Sequence, residues 1–140
     1  MDYILYADGG ARGNPGPSGA GAVAFNATGK RVVEVSDYLG VATNNIAEYE
    51  AVIRGLQALS AEFPHDYFKT HRVCVRMDSK LVIEQMKGNY KVKHPNLVPR
   101  YLALRNFITR NYGEISFEHV PREKNTDADA LANAAMDKAR

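Results

Sequence analysis

The chain predicts an α/β domain with a five-stranded mixed sheet flanked by helices, three antiparallel strands first and parallel additions after. Three observations carry this expectation. Residues 1–39 read as three strands joined by turn-rich, Gly- and Asn-containing connections, the pattern of antiparallel neighbours. From Asn44 onward apolar residues recur at helical spacing instead. The later strand-like runs, Arg72–Met77 and Ile115–Val120, each follow a helical stretch, and helix-containing crossovers make such pairings parallel.

Tyr3–Ala7 is an aromatic and aliphatic run that ends at Asp8, and Gly9–Pro17 reads as a turn-rich loop. Ala20–Phe25 and Arg31–Leu39 are the next two strands, with a turn around Asn26–Gly29. Thr43 or an Asn caps a helix whose stripe is Val52, Leu56 and Leu59, with Gly55 between. Arg72–Met77 again ends in an Asp, Asp78. A short helix over Ser79–Lys87 stops at Gly88. Asn96 is expected to cap a longer helix to Asn111, ended by Gly113. After Ile115–Val120 a last helix starts near Thr126, with Ala128, Leu131, Ala132 and Ala135 facing inward.

At 140 residues, with 45% hydrophobic and 24% charged residues, the chain is expected to form one domain over 1–140 with a real core. The net charge of +2 names no partner. Its distribution says more: residues 1–70 carry 5 Lys/Arg against 8 Asp/Glu, and residues 71–140 carry 13 against 8. A basic half is compatible with a polyanion but does not identify one. A lone cysteine, Cys74 in Val73-Cys74-Val75, excludes an internal disulfide framework and reads as a small buried hydrophobe. No stretch reads as a signal peptide or reaches the ~20 apolar residues of a membrane helix, so a cytoplasmic monomer without a membrane partner is expected.

Four carboxylates occupy unusual settings: Asp8 and Asp78 where strands end, Glu48 and Asp129 where helices open. In open α/β sheets ligands bind beyond the carboxyl ends of the strands, so the four can converge there. Glu48 precedes Val52 by one helical step and lies on the buried stripe, an expensive place for a charge; a solvated first-turn Glu is the alternative. Converging carboxylates repel, and some must protonate unless a cation joins them. Oxygen-only ligands favour Mg²⁺ or Mn²⁺ over Zn²⁺. Two such ions ~3.5–4 Å apart can activate water and stabilise the leaving oxygen of a phosphodiester. A structural Ca²⁺ site is the blander alternative, without any EF-hand-like loop. Gly13, Gly16 and Gly19 mimic a dinucleotide fingerprint, but a strand follows them where that motif needs a helix.

In order along the chain stand Asp8-Gly9-Gly10, Gly13-Asn14-Pro15-Gly16-Pro17, Thr43-Asn44-Asn45-x-x-Glu48, Asp78-Ser79 and Asn125-x-x-Ala128-Asp129-x-Leu131-Ala132. With these motifs the chain resembles a type 1 ribonuclease H over essentially its whole length, in a short, archaeal-like form without the basic protrusion. The resemblance implies a ribonuclease H-like fold and an endoribonuclease that hydrolyses the RNA strand of RNA–DNA hybrids by two-metal-ion catalysis, leaving 3′-hydroxyl and 5′-phosphate ends. It implies Asp8, Glu48, Asp78 and Asp129 as metal ligands for two Mg²⁺ ions, with Mn²⁺ as a substitute, and Glu48 as a contact to an RNA 2′-hydroxyl. Gly9, Gly10 and Asn14 match contacts to the RNA minor groove; Thr43, Asn44 and Asn45 match contacts to the hybrid, mainly on the DNA side.

Three departures shape the rest. The loop histidine of many members is missing from Val120–Asn125; His119 lies in the fifth strand, and Arg122 stands in as the candidate catalytic cation, with an ordinary surface arginine as the alternative. The Trp- and Lys-rich protrusion is replaced by Gly88–Pro95, where Lys87, Tyr90, Lys91 and Lys93 are candidates for phosphate contact and stacking, against the reading of a plain solvated loop. Val41 stands where several relatives place an Arg in a DNA-phosphate pocket. An integrase- or resolvase-type nuclease would lack the Gly-Asn-Pro-Gly-Pro and Thr-Asn-Asn segments, and a non-catalytic hybrid binder has no need of four carboxylates.

Overall fold

The computed structural model describes residues 2–138. Strands β1 (Tyr3–Ala11), β2 (Gly16–Asn26) and β3 (Arg31–Ala42) form an antiparallel meander, followed by α1 (Asn44–Ala61). Then come β4 (Val73–Met77), α2 (Lys80–Met86), α3 (Val98–Asn111), β5 (Ile115–His119) and α4 (Thr126–Lys138), with single 3₁₀ turns at Tyr67–Lys69 and Arg122–Lys124. The sheet order is β3-β2-β1-β4-β5, with β4 and β5 parallel to β1. The mixed sheet is therefore as the sequence predicts.

Four local expectations are corrected. The first strand does not stop before Asp8: Gly9, Gly10 and Ala11 pair with Ala20, Gly19 and Ser18, so the loop shrinks to 12–15. Glycine reads as a turn in isolation, but it also accepts extended backbone when a partner strand supplies the ladder. Asn96 does not cap α3; its N–H is taken by His94 Nδ1, and the cap is Leu97, without a side-chain bond. His94 O, accepting from Leu97 and Val98, begins that helix instead. α3 ends at Asn111 with the extended Tyr112 as its cap, not at Gly113, which is held instead by close approach: a Cβ there would fall 2.4 Å from Lys69 O. Leu131, expected inward, is half-buried, and Met136 takes an inward place beside Ala128, Ala132 and Ala135.

Thr43 caps α1 as expected, its hydroxyl accepting from Ile46 N–H at 3.3 Å, and Ser79 caps α2 through Val82 N–H at 3.4 Å. Gly88 ends α2 with φ +84°, where a side chain would be strained.

The sheet is covered on both sides where the carboxylates lie. α1 packs on β1 and β2 with Val52, Leu56 and Leu59 fully buried against Leu5 and Ala22. Each such side chain is worth ~1.5–3 kcal/mol of burial. α4 packs on the opposite face of β2, so close that a Cβ on Gly21 would meet Ala128 O at 2.2 Å. On the α1 side a Cβ on Gly9 would lie 2.2 Å from Ala47 C and O. A buried bond from Tyr49 Oη to Gln85 Oε1 (2.7 Å) ties α1 to α2, and Gln85 Nε2 donates onward to Lys91 O at 3.3 Å.

Candidate active site

Parallel pairing of β1 with β4 sets Tyr6 beside Arg76, so Asp8 and Asp78 emerge at the same sheet edge. α1 rises from that edge with Glu48 in its first turns, and α4 starts there with Asp129. All four carboxylates are half-buried and line one cavity of about 1080 Å³. Asn125 braces this corner. Its carbonyl accepts from Asp129 N–H at 3.1 Å, while its buried amide Nδ2 donates to Ala7 O (3.0 Å) and Asp78 Oδ1 (3.2 Å). One side chain thus fixes the middle of β1 and the end of β4 against the start of α4.

The electrostatics match a crowded acidic site. Burial, then the charge of Asp78 and a shared hydrogen bond with Asp129, pushes Asp8 up to about 8. Burial pushes Glu48 up to about 7, against a hydrogen bond from Ser79 that lowers it. Glu48 Oε2 is buried without a hydrogen-bond partner. An all-carboxylate donor set with an orphaned oxygen suits a hard divalent cation. Among the described residues no three Asp, Glu, His or Cys side chains already close to ligating geometry; the carboxylates share a cavity rather than a finished cage.

These raised groups carry a sign for stability. From about pH 4 to about 8 the folded, metal-free protein holds protons that the unfolded chain has released, so stability falls as pH rises. Asp8→Asn is expected to melt above wild type near pH 9 in chelator, by an amount on the order of a few kcal/mol, with the gap closing toward pH 4. Parallel melting curves across that range would contradict it.

Gly9, Gly10, Asn14, Asn44 and Asn45 line the same cavity. Asn44 and Asn14 also lace the β1–β2 turn to α1: Ala11 N–H donates to Asn44 Oδ1 (2.8 Å) and Asn44 N–H to Asn14 Oδ1 (3.0 Å). Asn14 and Asn45 continue into a second groove with Thr43, Lys91, Lys93 and His94. The structure brings Lys91 and Lys93 to that groove but not Lys87 or Tyr90. Lys87 is the exposed C-cap of α2, and Tyr90 is also exposed. Val41 is 72% exposed, an apolar side chain on open surface. Arg122 lies at the cavity, its Nε 3.8 Å from Asp78 Oδ2 and its side chain almost wholly in solvent.

Sequence reasoning missed several lining residues. His119, set aside as a strand residue, is the last residue of β5 and faces the cavity mouth. The strand's end at the carboxyl edge was the available signal. Arg12, Asn133 and Met136 also line the cavity; the helical step from Asp129 to Asn133 and Met136 was legible, Arg12 was not.

Fold and cavity together define a class: an α/β protein whose mixed sheet carries an acidic cavity at the carboxyl edge of its parallel strands. A family model described as "Reverse transcriptase-like" matches residues 6–135. LC11-RNase H1, from a compost metagenome and solved in complex with RNA/DNA hybrid, superposes with a TM-score of 0.93 at 46% identity, covering 98% of each chain. Ribonuclease HI of Halobacterium salinarum is 42% identical over 134 residues, 96% of this chain and 64% of its own length. A bifunctional protein of Mycobacterium tuberculosis is 46% identical over 142 residues, 99% of this chain but 36% of its own length. The chain thus spans about a third of the mycobacterial relative and under two thirds of the halobacterial one. It belongs to the type 1 ribonuclease H family, in the short form in which Gly88–Pro95 bridges α2 and α3 without a basic helical protrusion. Among the described residues no helix is long and apolar enough to cross a membrane.

Proposed function

We propose that residues 1–140 act as a single ribonuclease H domain, hydrolysing the RNA strand of an RNA–DNA hybrid to 3′-hydroxyl and 5′-phosphate ends. The observation that carries this reading is the cavity in which Asp8, Glu48, Asp78 and Asp129 meet, with one Glu48 oxygen left unpartnered. The hybrid as substrate is supported by the likeness to LC11-RNase H1, which was solved with one. The same four carboxylates would hold two Mg²⁺ ions, or Mn²⁺ in their place. When bound, such ions supply the charge that activates water and stabilises the leaving oxygen.

The chain's own residues do the remaining work. Asn125 orients Asp78 by donating its amide N–H to one carboxylate oxygen. Ser79 orients Glu48, whose free oxygen is placed to accept from an RNA 2′-hydroxyl, the group that separates RNA from DNA. Gly9 and Gly10 let the backbone approach the RNA minor groove, and Asn14 and Asn45, at the junction of the two cavities, touch the hybrid between its strands. Thr43, Asn44, Lys91 and Lys93 hold the DNA side through polar and phosphate contacts. Lys87 and Tyr90 lie outside that groove. The domain acts as a monomer in the cytoplasm.

The test is cleavage of RNA–DNA, RNA–RNA, DNA–DNA and single-stranded RNA, each with Mg²⁺ and with chelator. RNA cut only in the hybrid and only with metal is expected; equal cutting of RNA–RNA, or cutting in chelator, overturns the reading. Arg122→Ala is expected to lower kcat about tenfold or more with hybrid affinity much less changed, because a guanidinium stabilises phosphate charge but cannot act as a base. Arg122→Lys recovers part of the loss, lacking the planar fork. A silent Arg122→Ala beside a crippled His119→Ala would assign the role to the histidine.

A further inference from the structure

The acidic cavity has a cation problem. A duplex carries a negative charge every ~1.7 Å of axis, and it must lie across four carboxylates. Among the described residues lining the cavity, two arginines stand at opposite ends of it. Arg122 follows β5 at the outer edge of the sheet; Arg12 sits in the β1–β2 turn on the far side, against α4. Arg12 is not idle there. Its Nη2 is 2.7 Å from Asp137 Oδ1, and both side chains are about half exposed, at 45% and 58%. Gly10 and Met136 close the wall between this pair and the carboxylates: a Cβ on Gly10 would sit 3.6 Å from Met136 Cε.

We propose that Arg12 binds a phosphate of the RNA strand flanking the scissile one, one or two nucleotides along, and that Asp137 occupies the guanidinium until that phosphate displaces it. This rests on the hybrid-cleaving reading above. Asp137 follows Asp129 by eight residues on α4, which places the ion pair ~12 Å along the helix from the carboxylate cluster. That is too far for the scissile phosphate and within reach of a neighbour in the same strand. The strand is the RNA because Arg12 lines the cavity next to Gly10, in the backbone read as approaching the RNA minor groove, whereas Lys91 and Lys93 line the other groove. Exposed ion pairs are weak, and a phosphate offers the planar guanidinium fork a doubly hydrogen-bonded partner, so the exchange is favourable. Asp137 keeps the turn positioned in the free protein and weakens non-specific capture of polyanions.

The experiment is steady-state cleavage of an RNA–DNA hybrid at several salt concentrations. Arg12→Ala is expected to raise KM roughly tenfold with kcat nearly unchanged and to flatten the salt dependence by about one ion. Arg12→Lys falls between the two. Asp137→Asn lowers KM and steepens the salt dependence. In hybrids bearing one neutral methylphosphonate in the RNA strand, a single position weakens wild type but not Arg12→Ala. Wild-type KM and salt slope in Arg12→Ala, or a kcat loss that tracks a fall in Tm, overturns the proposal while leaving the enzyme assignment standing. Failure of wild type to cut any hybrid overturns the assignment itself.

Discussion

Asp78→Asn is expected to reduce hybrid cleavage by roughly three orders of magnitude or more, with the fold intact. Asp78 ends β4 at the corner braced by Asn125, whose Nδ2 donates to Oδ1 at 3.2 Å. The substitution keeps the shape of the side chain and removes its charge, and it can set an amide NH₂ against the Asn125 amide where an acceptor is needed. Asp8→Asn should cost as much activity for a simpler reason: it deletes the carboxylate at the centre of the mutual repulsion. Neither change should lower the melting temperature in chelator above neutral pH, since each relieves like-charge crowding. Single-turnover cleavage in Mg²⁺ beside thermal melting separates the effects. Activity near that of wild type in either variant would sink the metal-dependent reading of the cavity.

Gly9→Ala is the second large effect, and it acts through space rather than charge. Its Cβ would lie 2.2 Å from Ala47 C and O and 2.4 Å from Glu48 N, all backbone atoms that cannot rotate away. β1 and α1 must part at the one place where Asp8 and Glu48 are held together. A loss of ~3 kcal/mol or more in stability is expected, and a misplacement near 1 Å costs about 10²-fold in rate. Gly10→Ala is the control: it meets only Met136 Cε at 3.6 Å, ordinary contact, and should melt within ~1 kcal/mol of wild type. Equal melting temperatures for the two variants would contradict the close approach.

Much of this was legible in the sequence because it depends on local pattern. Thr43 and Ser79 read as helix starts, Val52, Leu56 and Leu59 as a buried stripe, and Asp78 as a strand end, and each stands where its neighbours in the chain dictate. What was illegible depends on partners far away in sequence. Gly9 and Gly10 look like a turn until β2 pairs with them. Asn96 looks like a cap until His94 takes the first turn of α3. Lys87 and Lys91 look interchangeable in a lysine-rich stretch; only the path set by Gly88 and by Gln85 donating to Lys91 O sends one away from the groove and the other into it. His119 and Arg12 carry no motif at all, and tertiary placement alone reveals them.

The buried relay from Tyr49 through Gln85 to the backbone at Lys91 makes the helix bearing Glu48 and the bridge bearing Lys91 parts of one rigid piece. The spacing of the acidic cavity from the neighbouring lysine-lined groove is then set through the protein's own hydrogen bonds. A spacing so set is a gauge. Under the proposed function, a duplex whose strands are spaced to seat one in each groove fits without deformation, while a wider or narrower one must bend to reach both. On that proposal, selection for the hybrid is partly a measurement of width, made by the protein before any hydroxyl is read.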